Sequence, residues 1–147
     1  MKHQLLQHYI ATLSYRAHRS LGDAPDGFES FSPGSGVRAP VEILSHMGDV
    51  LTFTLLRLHG DMSTPEKDVE SKSWSEEIAR FESLLKEICA VLDTNLHDQS
   101  DIEERLLQGP LADVMCHIGQ LAMLRRMAGA PVEGENFFAA DISKENL

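Results

Sequence analysis

Cysteine is scarce in this chain of 147 residues: there are two, Cys89 and Cys116, without CxxC spacing. That excludes a disulfide scaffold and a cysteine-rich zinc module, and both thiols are expected to be buried inside helices. Basic residues are also few, 13 Lys and Arg against 23 Asp and Glu, for a formal net charge of −10. Phosphate backbones and anionic lipids are held by concentrated Lys and Arg, so neither nucleic acid nor membrane is an expected partner. No uninterrupted apolar run could span a bilayer, and the opening MKHQLLQHYIATLSYRAHRS has polar residues every few positions in place of a signal-peptide core. A soluble, cytoplasmic protein is the expectation. Strand-like alternation, internal repeats and low-complexity blocks are absent as well.

What is present is helical periodicity. Leu5, Leu6, Tyr9, Ile10, Leu13 and Ala17 recur at helical spacing, predicting a first helix over about residues 2–21 that stops at Gly22. GDAPDGFESFSPGSGVRAP is rich in Gly, Pro and Ser and long for a bundle connection. It reads as a crossover or a flap over a site, with Phe28 and Phe31 as anchors. Pro40 suits the first turn of a second helix over about residues 40–59, whose stripe includes Ile43, Leu44, Met47, Val50, Leu51, Leu55 and Leu58. Ser73 followed by Glu76 forms a capping-box pattern opening a third helix, about residues 74–95. A fourth, about residues 110–128, starts at Gly109-Pro110 after an acidic connection and ends at Gly129. One all-α domain over residues 1–147 follows, a four-helix bundle with long loops and an extended C-terminal tail on which Phe137 and Phe138 dock.

The fourth helix is apolar nearly all round yet carries Asp113, His117 and Gln120. At about 100° per residue these three share one face. Buried without partners they would cost several kcal/mol, so the face must meet water, a polar partner or a metal. His46, at the border of the second helix's stripe, is the best partner from elsewhere in the chain, with Asp49 one turn later. The spacing leaves two readings. Asp113 and His117 form either a hydrogen-bonded polar pair, or two donors of a metal site that His46 completes.

The pairing of EILSHMGDVL with DVMCHIGQLAMLRRMAG resembles the DinB-like (DinB/YfiT) superfamily of four-helix-bundle metalloproteins, and the resemblance covers nearly the whole chain. Its pattern is one His on the second helix and HxxxH, then a small residue and Gln, on the last long helix; His46, His117, Gly119 and Gln120 match. Asp113 stands where the family has the first His of HxxxH. A carboxylate can ligate zinc but changes the charge and metal preference of the site. The ENFFAADI tail resembles an extension in one branch of the superfamily and implies no activity.

The resemblance implies a divalent metal, zinc or nickel first and manganese next, on His46, Asp113 and His117, with Gln120 and Asp49 as supporting or substrate-orienting residues. It further implies a thiol-dependent transferase or isomerase acting on a small-molecule substrate with an external low-molecular-weight thiol. Bundle faces commonly pair, which makes a homodimer an expectation. The competing expectation is a non-catalytic family member whose Asp113 and His117 are polar packing, a binding or structural bundle. Cys116 reads as core, Trp74 as an anchor, and His59 and His97 as complements to helix C-termini. His3, His8 and His18 form no clean set and read as surface or edge residues, and Arg125 and Arg126 as solvent-facing residues at the negative end of the fourth helix.

Overall fold

A computed structural model describes residues 3–67, 70, 72–94 and 100–147. All regular structure among them is helical. α1 (Gln4–Leu21) buries Leu6, Ile10, Leu13 and Ala17 of the predicted stripe, together with Leu21, whereas Tyr9 is half-buried and Leu5, turned about 100° from Leu6, is 88% exposed. α2 (Pro40–Leu58) opens with proline in its first turn, and the Glu42 carboxylate accepts the Ala39 N–H at 2.8 Å. α3 (Trp74–Asp93) starts on the expected capping box: Ser73 Oγ accepts from the Glu76 N–H at 3.3 Å, and the Glu76 carboxylate accepts from the Ser73 N–H at 2.7 Å. The expected helix limits at residues 2 and 95, and His97, lie outside the described residues.

The last helix is longer than its sequence predicts. α4 (Ser100–Leu106) and α5 (Ala112–Met127) are joined by a π-helical turn, Leu107–Leu111, so the expected start at Pro110 falls inside a continuous helix. Leu106, Leu111 and Ala112 all keep right-handed helical dihedrals. Pro110 accounts for the wide turn: it has no N–H to donate, and its ring would press on the carbonyl one turn back in a regular α-helix.

The helices form a ring in which α1 neighbours α3 and α5, and α2 also neighbours α3 and α5. α1 and α2 therefore stand diagonally, and the loop 22–39 must cross the end of the bundle between them. Phe28 seals that crossing, buried and edge-on to half-buried Trp74 with ring centroids 5.9 Å apart. Ile10, Leu13, Leu44, Met47, Leu51, Leu85, Ile88 and Val114 fill the centre.

Arg125 differs from its solvent-facing expectation. It is buried, and its guanidinium donates to the carbonyls of Ser20, Gly22, Asp23 and Ala130 at 2.7 to 3.3 Å, tying the ends of α1 and α5 together. The carbonyls left open at a helix C-terminus supply the compensation that a buried cation needs. His3 also departs from expectation: it is buried against Glu103 and links the start of α1 to α4. His18 remains at the surface, 3.0 Å from Glu82. In the tail, Phe137 docks edge-on to Tyr15 and under Arg16, but Phe138 is 99% exposed instead of docked. No helix among the described residues is long and apolar enough to cross a membrane.

Candidate metal centre

α5 is one-sided, not apolar all round. Val114, Ile118, Leu121 and Leu124 face the core, while Cys116, Gly119, Gln120, Met123 and Met127 are exposed. The expected buried thiol at Cys116 is therefore corrected: it lies exposed near Tyr9 and away from the cleft described below, whereas Cys89 is buried and its thiol pKa is pushed up by that burial. Hydrophobic content alone misleads here because methionine is tolerated at the rim of a cleft as readily as in a core.

The polar face of α5 meets α2 at His46. Asp113 Oδ2 lies 3.4 Å from Nε2 of His117, one turn along, and 3.4 Å from Nε2 of His46 on the facing helix. The two imidazoles meet edge to face with centroids 4.9 Å apart, and one donor atom from each of the three residues lies within 4.8 Å of the others. His117 is 12% exposed and Asp113 48%, so the group runs from the inner wall of a cleft out to solvent. The uncompensated burial feared for these residues does not arise.

Two features fit a cation. Tetrahedral zinc ligands at about 2.0–2.1 Å stand roughly 3.3–3.4 Å from one another, which matches both edges that Asp113 makes. His117 Nδ1 lies 2.8 Å from Gln120 Oε1. An amide oxygen only accepts, so in this bond Nδ1 is the donor, and Nε2 is the ring nitrogen turned toward the Asp113 carboxylate. An imidazole nitrogen and a carboxylate oxygen facing each other at this distance need a proton or a metal ion between them. His46, Asp113 and His117 could hold a metal ion, and no other such cluster occurs among the described residues.

Asp49 is drawn elsewhere. Its carboxylate accepts from Arg80 at 2.6 Å, and Arg80 also binds buried Glu77 at 3.2 Å and the Ser45 carbonyl at 3.3 Å. Burial works against the Arg80 charge, yet the hydrogen bonds to Asp49 and Glu77 outweigh it and hold the guanidinium more firmly protonated. Asp49 thus braces α2 against α3 beneath the candidate ligand His46 and touches none of the three donors.

His46 and His117 open into a cleft of about 720 Å³, within the size range of small-molecule sites. Gln120, Met123 and Met127 line one wall from α5, and Pro33, Gly34, Ser35, Val37 and Arg38 of the crossing loop line another. Gly34, Ser35 and Gly36 all adopt positive φ, 88°, 56° and 73°, where the loop bends at the cleft. That the loop would cross the bundle beside a site was legible in its composition. The methionines had a signal too, since 117, 120, 123 and 127 continue one helical face, but Arg38 had none.

Comparisons with protein-family models, with curated proteins and with solved structures return no match for this chain.

Proposed function

We propose that this chain is a divalent-metal protein of the DinB-like type, with His46, Asp113 and His117 as ligands and remaining coordination positions open to the cleft. The observation that carries the reading is the placement of one Asp113 oxygen 3.4 Å from Nε2 of both histidines. Three ligands with an open face is the arrangement of catalytic rather than structural zinc. Zinc or nickel suits the two imidazoles best, and the carboxylate extends the range toward manganese. The resemblance to thiol-dependent transferases and isomerases supplies the reaction class: a low-molecular-weight thiol would bond through sulfur to a small substrate held in the cleft, either displacing a leaving group that departs with its electron pair or adding and being expelled again in an isomerisation.

In that reading the bound ion supplies Lewis acidity that favours the thiolate of the external thiol. Gln120 holds the proton of His117 on Nδ1 and so keeps Nε2 available. The crossing loop and the methionine wall exclude water from the substrate's apolar portion. Cys116, outside the cleft, takes no part. The alternative, polar packing without metal, is less well supported because Asp113 is about half exposed and gains little from pairing as a buried group.

Elemental analysis of untagged native protein tests the reading, with Asp113→Ala and His117→Ala alongside. Near-stoichiometric zinc, nickel or manganese in the wild type alone supports it. A wild type that stays empty after reconstitution overturns it in favour of the packing reading.

A further inference from the structure

Beside the candidate metal centre, Arg38 contributes to the wall of the cleft and has neither a hydrogen bond nor an ion pair among the described residues. It also borders a smaller cleft of mixed charge that His46 lines as well, where Glu42, Asp49, Glu70 and Glu77 stand with Lys67 and Lys72. These four carboxylates are already engaged: Glu42 by the Ala39 N–H, Asp49 and Glu77 by Arg80, and Glu70 in an interaction of its own. In a chain with formal net charge −10, that leaves a spare guanidinium at the mouth of a largely apolar cavity. The opposite wall is apolar, formed by Ile43, Leu124, Met123 and Met127, and the last two are 60% and 55% exposed.

We propose that the cleft binds a small monocarboxylate with an apolar body, its carboxylate on Arg38 and its body along the methionine wall. A guanidinium presents paired donors that match a carboxylate, and flexible methionine side chains adapt to a chain or a ring. Arg38 is the one Lys or Arg among the residues lining this cleft, and a single guanidinium matches a monoanion better than a doubly charged phosphate ester. The Gly34-Ser35-Gly36 bend, with left-handed backbone at all three residues, shapes the loop that carries Arg38. This inference rests on the metal reading for the reaction at the inner end of the cleft, but ligand selection belongs to Arg38 and is measurable without metal.

The experiment titrates octanoate and octanol into the full chain, with chelator and separately with added zinc, following the methyl signals of Met123 and Met127 by NMR. Circular dichroism verifies that each sample keeps its helices. With chelator, octanoate is expected to bind at least about fivefold more tightly than octanol, as suits one partly exposed charged hydrogen-bonding group. Arg38→Gln is expected to abolish that gap and leave octanol binding unchanged. Equal affinities in the wild type, or a gap that survives in Arg38→Gln, overturns the inference, and so does tighter binding of octyl phosphate than of octanoate. A gap that depends on added zinc and not on Arg38 places the carboxylate on the metal, overturning this inference while supporting the metal reading. A gap that needs Arg38 in a chain that takes up no metal sustains the inference while the metal reading fails.

Discussion

Nδ1 of His117 lies 2.8 Å from Oε1 of Gln120, one turn further along α5, and that bond decides which nitrogen of His117 faces Asp113 and His46. Gln120→Leu removes the acceptor and frees the ring to rotate or change tautomer. Zinc affinity is expected to fall about 10- to 100-fold, the usual effect of losing a partner that orients a metal-binding imidazole. Gln120→Glu keeps an acceptor and is expected to retain affinity. A zinc competition titration reads both, and an unchanged constant in Gln120→Leu would show that the amide orients nothing.

Metal removal should reach the stability of the fold. An ion present at about 100 times its dissociation constant adds about 2.7 kcal/mol. For a chain of this size that corresponds to roughly 5–10 °C in melting temperature. Chelation is expected to lower the wild-type transition by that amount, zinc to restore it, and His117→Ala to melt identically with and without chelator. Scanning calorimetry of the four samples would refute the ligand assignment if the wild type were insensitive to chelator. Asp113→His, which rebuilds HxxxH, should shift preference from manganese toward nickel and zinc.

Gly48 is needed for the close approach of Arg80 to α2. A Cβ there would stand 2.7 Å from a guanidinium nitrogen of Arg80. Gly48→Ala is therefore expected to push Arg80 away from Asp49 and Glu77, leaving Glu77, which is 3% exposed, without its cation. The intrinsic preference of alanine for helix, about 1 kcal/mol, works the other way. The guanidinium is the end of a flexible side chain and is shifted, not removed, so the loss is that of a charged hydrogen bond, about 1.5–3 kcal/mol, and net destabilisation of roughly 0.5–2 kcal/mol is expected by urea unfolding. A more stable Gly48→Ala protein would mean that Arg80 moves without loss.

Docking of the tail should depend on acid. The Lys144 ammonium and the Gln7 amide both donate to Asp93 at 2.7 Å and hold its carboxyl below the ordinary 3.8. The reciprocal bond raises Lys144 above its usual 10.5, with Asp93 as the main cause. A lowered carboxyl contributes fully above its unfolded value and loses that contribution as pH falls through its folded value. A raised amine contributes fully below its unfolded value. The contact is thus complete between about pH 3.8 and 10.5 and weakens outside that window. Hydrogen exchange over residues 142–147, corrected for the intrinsic rate, should show protection at neutral pH that fades below the lower limit and is already reduced in Asp93→Asn. Protection unaffected by Asp93→Asn would mean that this contact does not hold the tail.

The helices themselves were legible because they depend on neighbours within a turn: the stripe of α1, the Ser73 and Glu76 box, proline opening α2, and the shared face of Asp113, His117 and Gln120. The widened turn at Pro110 was legible only as a helix start, since a proline ends one helix or distorts another according to what packs around it. Which residues meet across helices was a different matter. Asp49 read as a support for the candidate metal site, and packing of α2 on α3 paired it with Arg80 instead; Arg125 looked like a surface cation until the ends of α1 and α5 converged on it. The diagonal placement of α1 and α2, which no local spacing encodes, is what carries the loop across the bundle and sets Arg38 in the wall of the cleft that His46 and His117 open into. Periodicity determines the face on which a side chain lies; only the competition among distant partners in the packed bundle decides what that face touches.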